Sequence, residues 1–307
     1  MNIIADYAGR KARALDMAGY INDLRVPKKR PDIERLHSDL KQCASYLVFH
    51  EYITVDQLRL VKAHTCKKHL LCPFCAMRRA GKYVSKNIPK LEQVLSDKPS
   101  LIPVMVTFTV KNGPDLRERF NHLRSAERRL KQAARNARKG QKWSEYARIQ
   151  GAISAYEFTR KDEQDWHPHI HVLALVDSYI DQKALSAEWE AITGDSFIVD
   201  VRKIKAKANA GGLDIASAML EVCKYSLKFH DMTLEDTWEA YNVLRGKRLV
   251  NPSGLLRGVE MPEELLDDPL EGLPFIERHY QYRPGKSAYD LVEIRNDSAH
   301  VSSESAA

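Results

Sequence analysis

The sequence predicts an α+β fold: an antiparallel sheet with a split βαβ core, flanked by helices and preceded by a cysteine-rich, zinc-binding region. Three observations lead there. Between residues 99 and 231, strand-length apolar runs alternate with helical patterns in the order β-α-β-β-α-β-α. Two of these strands are separated by a short polar turn, which makes them a hairpin. Four of the five cysteines lie before residue 98, three of them closely spaced.

The chain reads as three regions. Residues 1–98 form a helical region with a cysteine knuckle. Cys66, Cys72 and Cys75, with His69 between the first two, give C-x2-H-x2-C-x2-C, and the C-P-x-C turn at its end is a zinc signal. Buried free thiols are the plainer reading. Residues 99–231 hold the alternating elements. Ile102 to Val110 is a β-branched, apolar strand. Asn112-Gly113-Pro114-Asp115 ends it and starts a helix that reaches Gly140. Ile153–Thr159 and His169–Val176 form the hairpin about the turn at 161–165. A helix over 181–192, a strand over Phe197–Ile204 and a helix over Leu213–Phe229 follow. Residues 232–307 are proline-punctuated and acidic, and end in a frayed, serine-rich tail.

Charge is unevenly distributed. The chain carries +7, but residues 251–307 carry −6, so the first 250 residues stand at +13. A basic body points to an acidic partner, nucleic acid first among them. Residues 116–150 concentrate this charge, with 11 Lys/Arg against 3 Glu. Such a run is either a solvated helix face or a phosphate-binding one. Trp143, Tyr146 and Trp166 are candidates for base stacking or for the core. No apolar run is long enough to span a bilayer and no secretory signal is visible, so a cytoplasmic protein with reduced cysteines is expected.

The segment His167-Pro168-His169-Ile170-His171 carries the most chemistry. Side chains alternate along a strand, so His169 and His171 share one face. Across the hairpin, Glu157 falls opposite His169, or opposite His171 in the next register, close enough to share one ion. Two imidazoles and a carboxylate suit Mn²⁺ or Mg²⁺ and also accept Zn²⁺. His167 is a substitute ligand. Hydrogen-bonded histidines on a half-buried strand are the alternative. In the last helix, Ile215, Met219, Val222, Ser226 and Phe229 make a stripe that should face the sheet, while Glu221, Tyr225 and Lys228 share another side with Lys224 adjacent. A tyrosine between two lysines, one turn after a glutamate, is a candidate nucleophile or an ordinary surface tyrosine.

Together these segments resemble the HUH endonucleases, in particular the single-tyrosine rolling-circle replication initiators of plasmids. The family shows Thr-x-x-Asn after a strand, then His-Pro-His-x-His-Val-Leu, then Glu-Val-x-Lys-Tyr-x-x-Lys. This chain has Thr109-Val110-Lys111-Asn112, HPHIHVL from His167 and EVCKYSLK from Glu221, in the same order, and the likeness covers about residues 40–231. The resemblance implies a nicking enzyme in which His169, His171 and Glu157 hold a Mg²⁺ or Mn²⁺ ion. Tyr225 would attack a DNA phosphate, giving a 5′-phosphotyrosine and a free 3′-OH. Glu221 takes the place of the family's water-activating carboxylate. The implied partners are single-stranded or cruciform plasmid origin DNA, a host helicase and a DNA polymerase, with no membrane. The family also places a cysteine near Cys43, which makes Cys43, Cys66, Cys72 and Cys75 the expected Zn²⁺ site, with His69 the alternative fourth ligand. A zinc there would brace Arg78 and Arg79, which with Lys224 and Lys228 are the expected DNA contacts. A relaxase or single-tyrosine transposase, or a non-catalytic zinc-containing DNA-binding regulator, are the competing readings.

Overall fold

The computed structural model describes residues 3–24, 31–161, 164–204, 214–223, 228, 232–258, 270 and 273–296. The chain packs into two compact units, residues 1–78 with 263–307 and residues 79–262.

The first unit combines helices α1 (Ile3–Asp23) and α2 (Pro31–Gln42) with a four-stranded antiparallel sheet. Ala14, Met17, Ala18 and Ile21 recur at helical spacing along α1 and are almost fully buried, so that face supplies its core. Strands β1 (Tyr46–Tyr52) and β2 (Gln57–Ala63) form a hairpin whose turn ends on Asp56 at φ 49°, a left-handed conformation that aspartate tolerates. The other edge of β1 is paired by a strand from the acidic far end of the chain. There Leu47 lies opposite Tyr280. Helix α3 (Pro73–Asp97) carries the chain into the second unit.

The second unit is built on strands β3 (Ile102–Thr109), β4 (Ile149–Thr159), β5 (His167–Val176), β6 (Val199–Lys203) and β7 (Val250–Gly254). Their order is β6-β3-β5-β4-β7, every neighbouring pair antiparallel. Because β5 lies between β3 and β4, which helix α4 (Leu116–Ala137) connects, the core is the expected split βαβ. Helix α5 (Gln182–Thr193) makes the second crossover, from β5 to β6. It starts on Asp181, whose carboxylate accepts from the Lys183 and Ala184 amides, and ends on Gly194 at φ 79°.

Alternation along β4 separates the two faces of this sheet. Ile153 and Ala155 pack with Leu173 and Leu175 against Leu91 and Val94 of α3 and against Ile215, Met219 and Val222 of α6 (Ile215–Cys223). Ser154 and Tyr156, between them in sequence, face α4 on the other side, where both hydrogen-bond Glu127. The apolar stripe of the last predicted helix thus faces the sheet as its spacing requires, although residues 224–227 and 229–231 lie outside the described ones. Helix α7 (Leu234–Leu244) precedes β7, and the C-terminal hairpin is β8 (Ile276–Arg283) with β9 (Ala288–Asn296) in the first unit's sheet. Among the described residues, no helix is long and apolar enough to cross a membrane.

Candidate functional site

Pairing in the second sheet aligns the chemistry. Glu157 lies directly opposite His169, which selects the first of the two registers open from sequence, and Ala155 lies opposite His171. On the other side of β5, Thr109 pairs with His169 and Thr107 with His171. Period-two alternation therefore brings Thr107, Glu157, His169 and His171 to one face.

The two imidazoles converge on a single carboxylate oxygen. His169 Nε2 stands 3.1 Å and His171 Nε2 2.7 Å from Glu157 Oε2. Lys228 Nζ lies 2.7 Å from Glu157 Oε1. Burial pushes the Glu157 carboxyl up, but hydrogen bonds from His169, His171 and Lys228 outweigh it and hold the group well below the usual carboxylate range. His171 Nδ1 meets Thr107 Oγ1 at 3.3 Å, and His167 Nδ1 meets Asn112 Oδ1 at 2.7 Å. These outer contacts orient the rings from behind.

The donor set fits a divalent cation. One nitrogen from each of His169 and His171 and one oxygen of Glu157 all lie within 4.8 Å of one another. Mixed imidazole and carboxylate ligands with open positions are the pattern of Mn²⁺, Mg²⁺ or Zn²⁺ sites. The open side is a cleft of about 510 Å³, lined by His167, His169 and His171 and by Asp200, Arg202 and Glu221. Glu221 is exposed in that cleft, at the described end of α6.

A second ligand cluster belongs to the first unit. The Sγ atoms of Cys43, Cys66, Cys72 and Cys75 lie within 4.8 Å of one another, and all four residues are buried. Cys43 is 3.6 Å from Cys72 and 3.5 Å from Cys75, which is 3.5 Å from Cys66. Zn–S bonds of about 2.3 Å in a tetrahedron put sulfurs roughly 3.8 Å apart, so this packing fits a thiolate-bound ion. Cys43 is the fourth member of the group and His69 is not in it.

Other predicted residues fall as follows. Lys224 and Tyr225 lie outside the described residues. Arg78 is half-buried with its guanidinium over the Phe74 ring at 5.8 Å, and Arg79 is exposed. Of the aromatic candidates, Trp166 and Tyr146 are core, whereas Trp143 is 66% exposed. The basic helix α4 lies on the sheet face away from the histidines, since it bonds Ser154 and Tyr156, not the Glu157 side. Sequence reasoning missed Asp200 and the orienting roles of Thr107 and Asn112. Asp200 pairs with Thr107 across β3 and β6, so alternation on β6 was the signal available.

The sequence model of the family described as "Replication protein" matches residues 57–292. A curated relative, "Protein rep" of Streptococcus pneumoniae serotype 2 (strain D39 / NCTC 7466), is 27% identical over 271 residues, covering 83% of this chain and 78% of the relative. No solved structure matches the chain.

Proposed function

Because this chain belongs to the replication protein family of plasmid rolling-circle initiators, we propose that it opens its origin by nicking one DNA strand with Tyr225 in the histidine cleft. One observation carries the reading. Glu221 lines the cleft and Lys228 ion-pairs with Glu157 inside the same site, so the segment bearing Tyr225 has both its flanks at the histidines.

His169, His171 and Glu157 hold a divalent ion, which when bound supplies a Lewis acid for a phosphate oxygen. The Tyr225 hydroxyl oxygen bonds to phosphorus as the bond from phosphorus to the 3′ oxygen breaks. Glu221 takes the phenolic proton, and that proton balances the departing oxygen, which leaves as a 3′-OH able to prime a polymerase. Lys224 and Lys228 offset phosphate charge in the cleft. At termination Glu221 takes a proton from a water whose oxygen bonds to phosphorus as the bond to the 3′ oxygen breaks, and the proton passes to that oxygen. The new 3′-OH attacks the phosphotyrosine and releases Tyr225, so no second tyrosine is required. Cys43, Cys66, Cys72 and Cys75 hold a structural zinc that braces the start of α3, from which Arg78 and Arg79 contact DNA backbone.

The test is a denaturing gel of labelled single-stranded origin DNA with wild type and Tyr225→Phe, with and without Mn²⁺. The expected result is a metal-dependent covalent adduct in wild type that the variant lacks. An adduct surviving Tyr225→Phe moves the nucleophile elsewhere. Salt-sensitive binding without any adduct replaces nicking by the non-catalytic regulator.

A further inference from the structure

The basic charge of α4 is organised, and it lies on the wrong face to serve the histidine cleft. Arg124, Arg128, Lys131 and Arg135 follow one another at i, i+4, i+7 and i+11, a straight stripe roughly 16 Å long at about 1.5 Å per residue. The stripe forms one wall of a cleft of about 600 Å³, and Arg248 and Asn251, from the end of the α7–β7 connection and the start of β7, line the same cleft. Its floor is Tyr156, on the sheet face opposite Glu157.

Among the described residues, the only carboxylate lining the cleft is already committed. Buried Glu127 accepts from the Tyr156 hydroxyl, from Ser154 Oγ at 3.0 Å and from Lys131 Nζ at 2.6 Å. Among the described residues, no carboxylate lies within ion-pair distance of Arg124, Arg128, Arg135 or Arg248. Asn121, Ser125 and Asn251 add neutral hydrogen-bonding groups along the same cleft. Tyr156 is its single aromatic ring among the described residues, 3% exposed and tied through its hydroxyl. A strand of unpaired bases is held by stacking as well as by charge, and no described residue of this cleft offers a ring for stacking. A stiff row of cations with neutral donors matches the phosphate backbone of a duplex, whose charges repeat on each strand about every 3.4 Å of helix axis.

We propose that this cleft is a second DNA site, which grips the backbone of double-stranded DNA flanking the nicked strand, on the far side of the sheet from the histidines. The proposal rests on the reading of this chain as a DNA-processing initiator and deepens it. The test follows a short labelled duplex by fluorescence anisotropy across a salt titration. It compares wild type with the triple variant Arg124→Ala, Arg128→Ala, Arg248→Ala and with the matching triple Arg→Lys variant. All three arginines are exposed, so the substitutions leave the core intact. Losing three phosphate contacts should lower the slope of log K against log salt by about 2.7, and the lysine variant should restore it. Metal-dependent cleavage of a single-stranded oligonucleotide should persist in the triple alanine variant. An unchanged duplex slope, or equal weakening toward a single strand of the same length, overturns the proposal. Absence of cleavage even in wild type removes the nicking reading, while the slope difference still decides this site.

Discussion

Thr107 shows how much one hydroxyl contributes to the histidine cleft. It stands 3.3 Å from His171 Nδ1 and thereby leaves Nε2 facing Glu157. Replacing such an outer contact costs about 10–100-fold in metal affinity. Thr107→Val should therefore weaken Mn²⁺ binding by that factor in isothermal titration calorimetry, and Thr107→Ser should recover most of it. Equal affinities for Val and Ser would remove the orienting role. Glu157 acts more directly, because both imidazoles and Lys228 meet its carboxylate. Glu157→Gln keeps the shape and deletes the charge, so Mn²⁺ affinity should fall by more than the threonine variant loses, about 100-fold or beyond. Retained tight binding in that variant would exclude Glu157 as a ligand.

Individual elements differ in how openly the sequence declares them. The hairpin of β4 and β5 was legible because a period of two sorts its histidines from the apolar residues between them. Its register was not, since the turn length left Glu157 opposite either His169 or His171 and the pairing selects His169. Helix α4 was legible from its start signal. Asp115 accepts from the Glu118 amide at 3.0 Å, and Asp115→Ala should cost about 1 kcal/mol. For a unit of this size that lowers the melting temperature by about 2–4 °C, readable by calorimetry, and an unchanged transition would show the cap to be redundant. Strands β8 and β9 were not legible. Their stability comes from cross-strand partners such as Glu277 opposite Arg295, and from Arg278 on Glu51, so their own apolar pattern is weak. Trp166 and Tyr146 were ambiguous for a related reason: an aromatic ring reads alike in sequence whether it ends in the core or at the surface. Glu127 was hidden because a buried acid on a basic helix has meaning only beside Tyr156 and Ser154.

At the scale of the whole molecule, the two ligand clusters fall in separate units, the four cysteines in the first and Glu157, His169 and His171 in the second. Structural zinc in small domains contributes roughly 10 kcal/mol or more of folding free energy. Metal analysis should find one zinc per chain, and its chelation should raise hydrogen exchange around Cys43 to Cys75 more than in the five-stranded sheet. A chain that purifies without zinc, or exchanges evenly after chelation, would contradict this. The strand pairing of the first unit also imposes a timetable. Leu47 pairs with Tyr280, and at about 5–20 residues per second a ribosome needs roughly 12–47 s to travel between them. Throughout that interval one edge of β1 waits with its backbone amides and carbonyls unmatched, inviting pairing with neighbouring nascent chains. The five-stranded unit is contiguous, so it is fully synthesised while its predecessor is still two strands short. Birth order in this protein therefore runs against chain order.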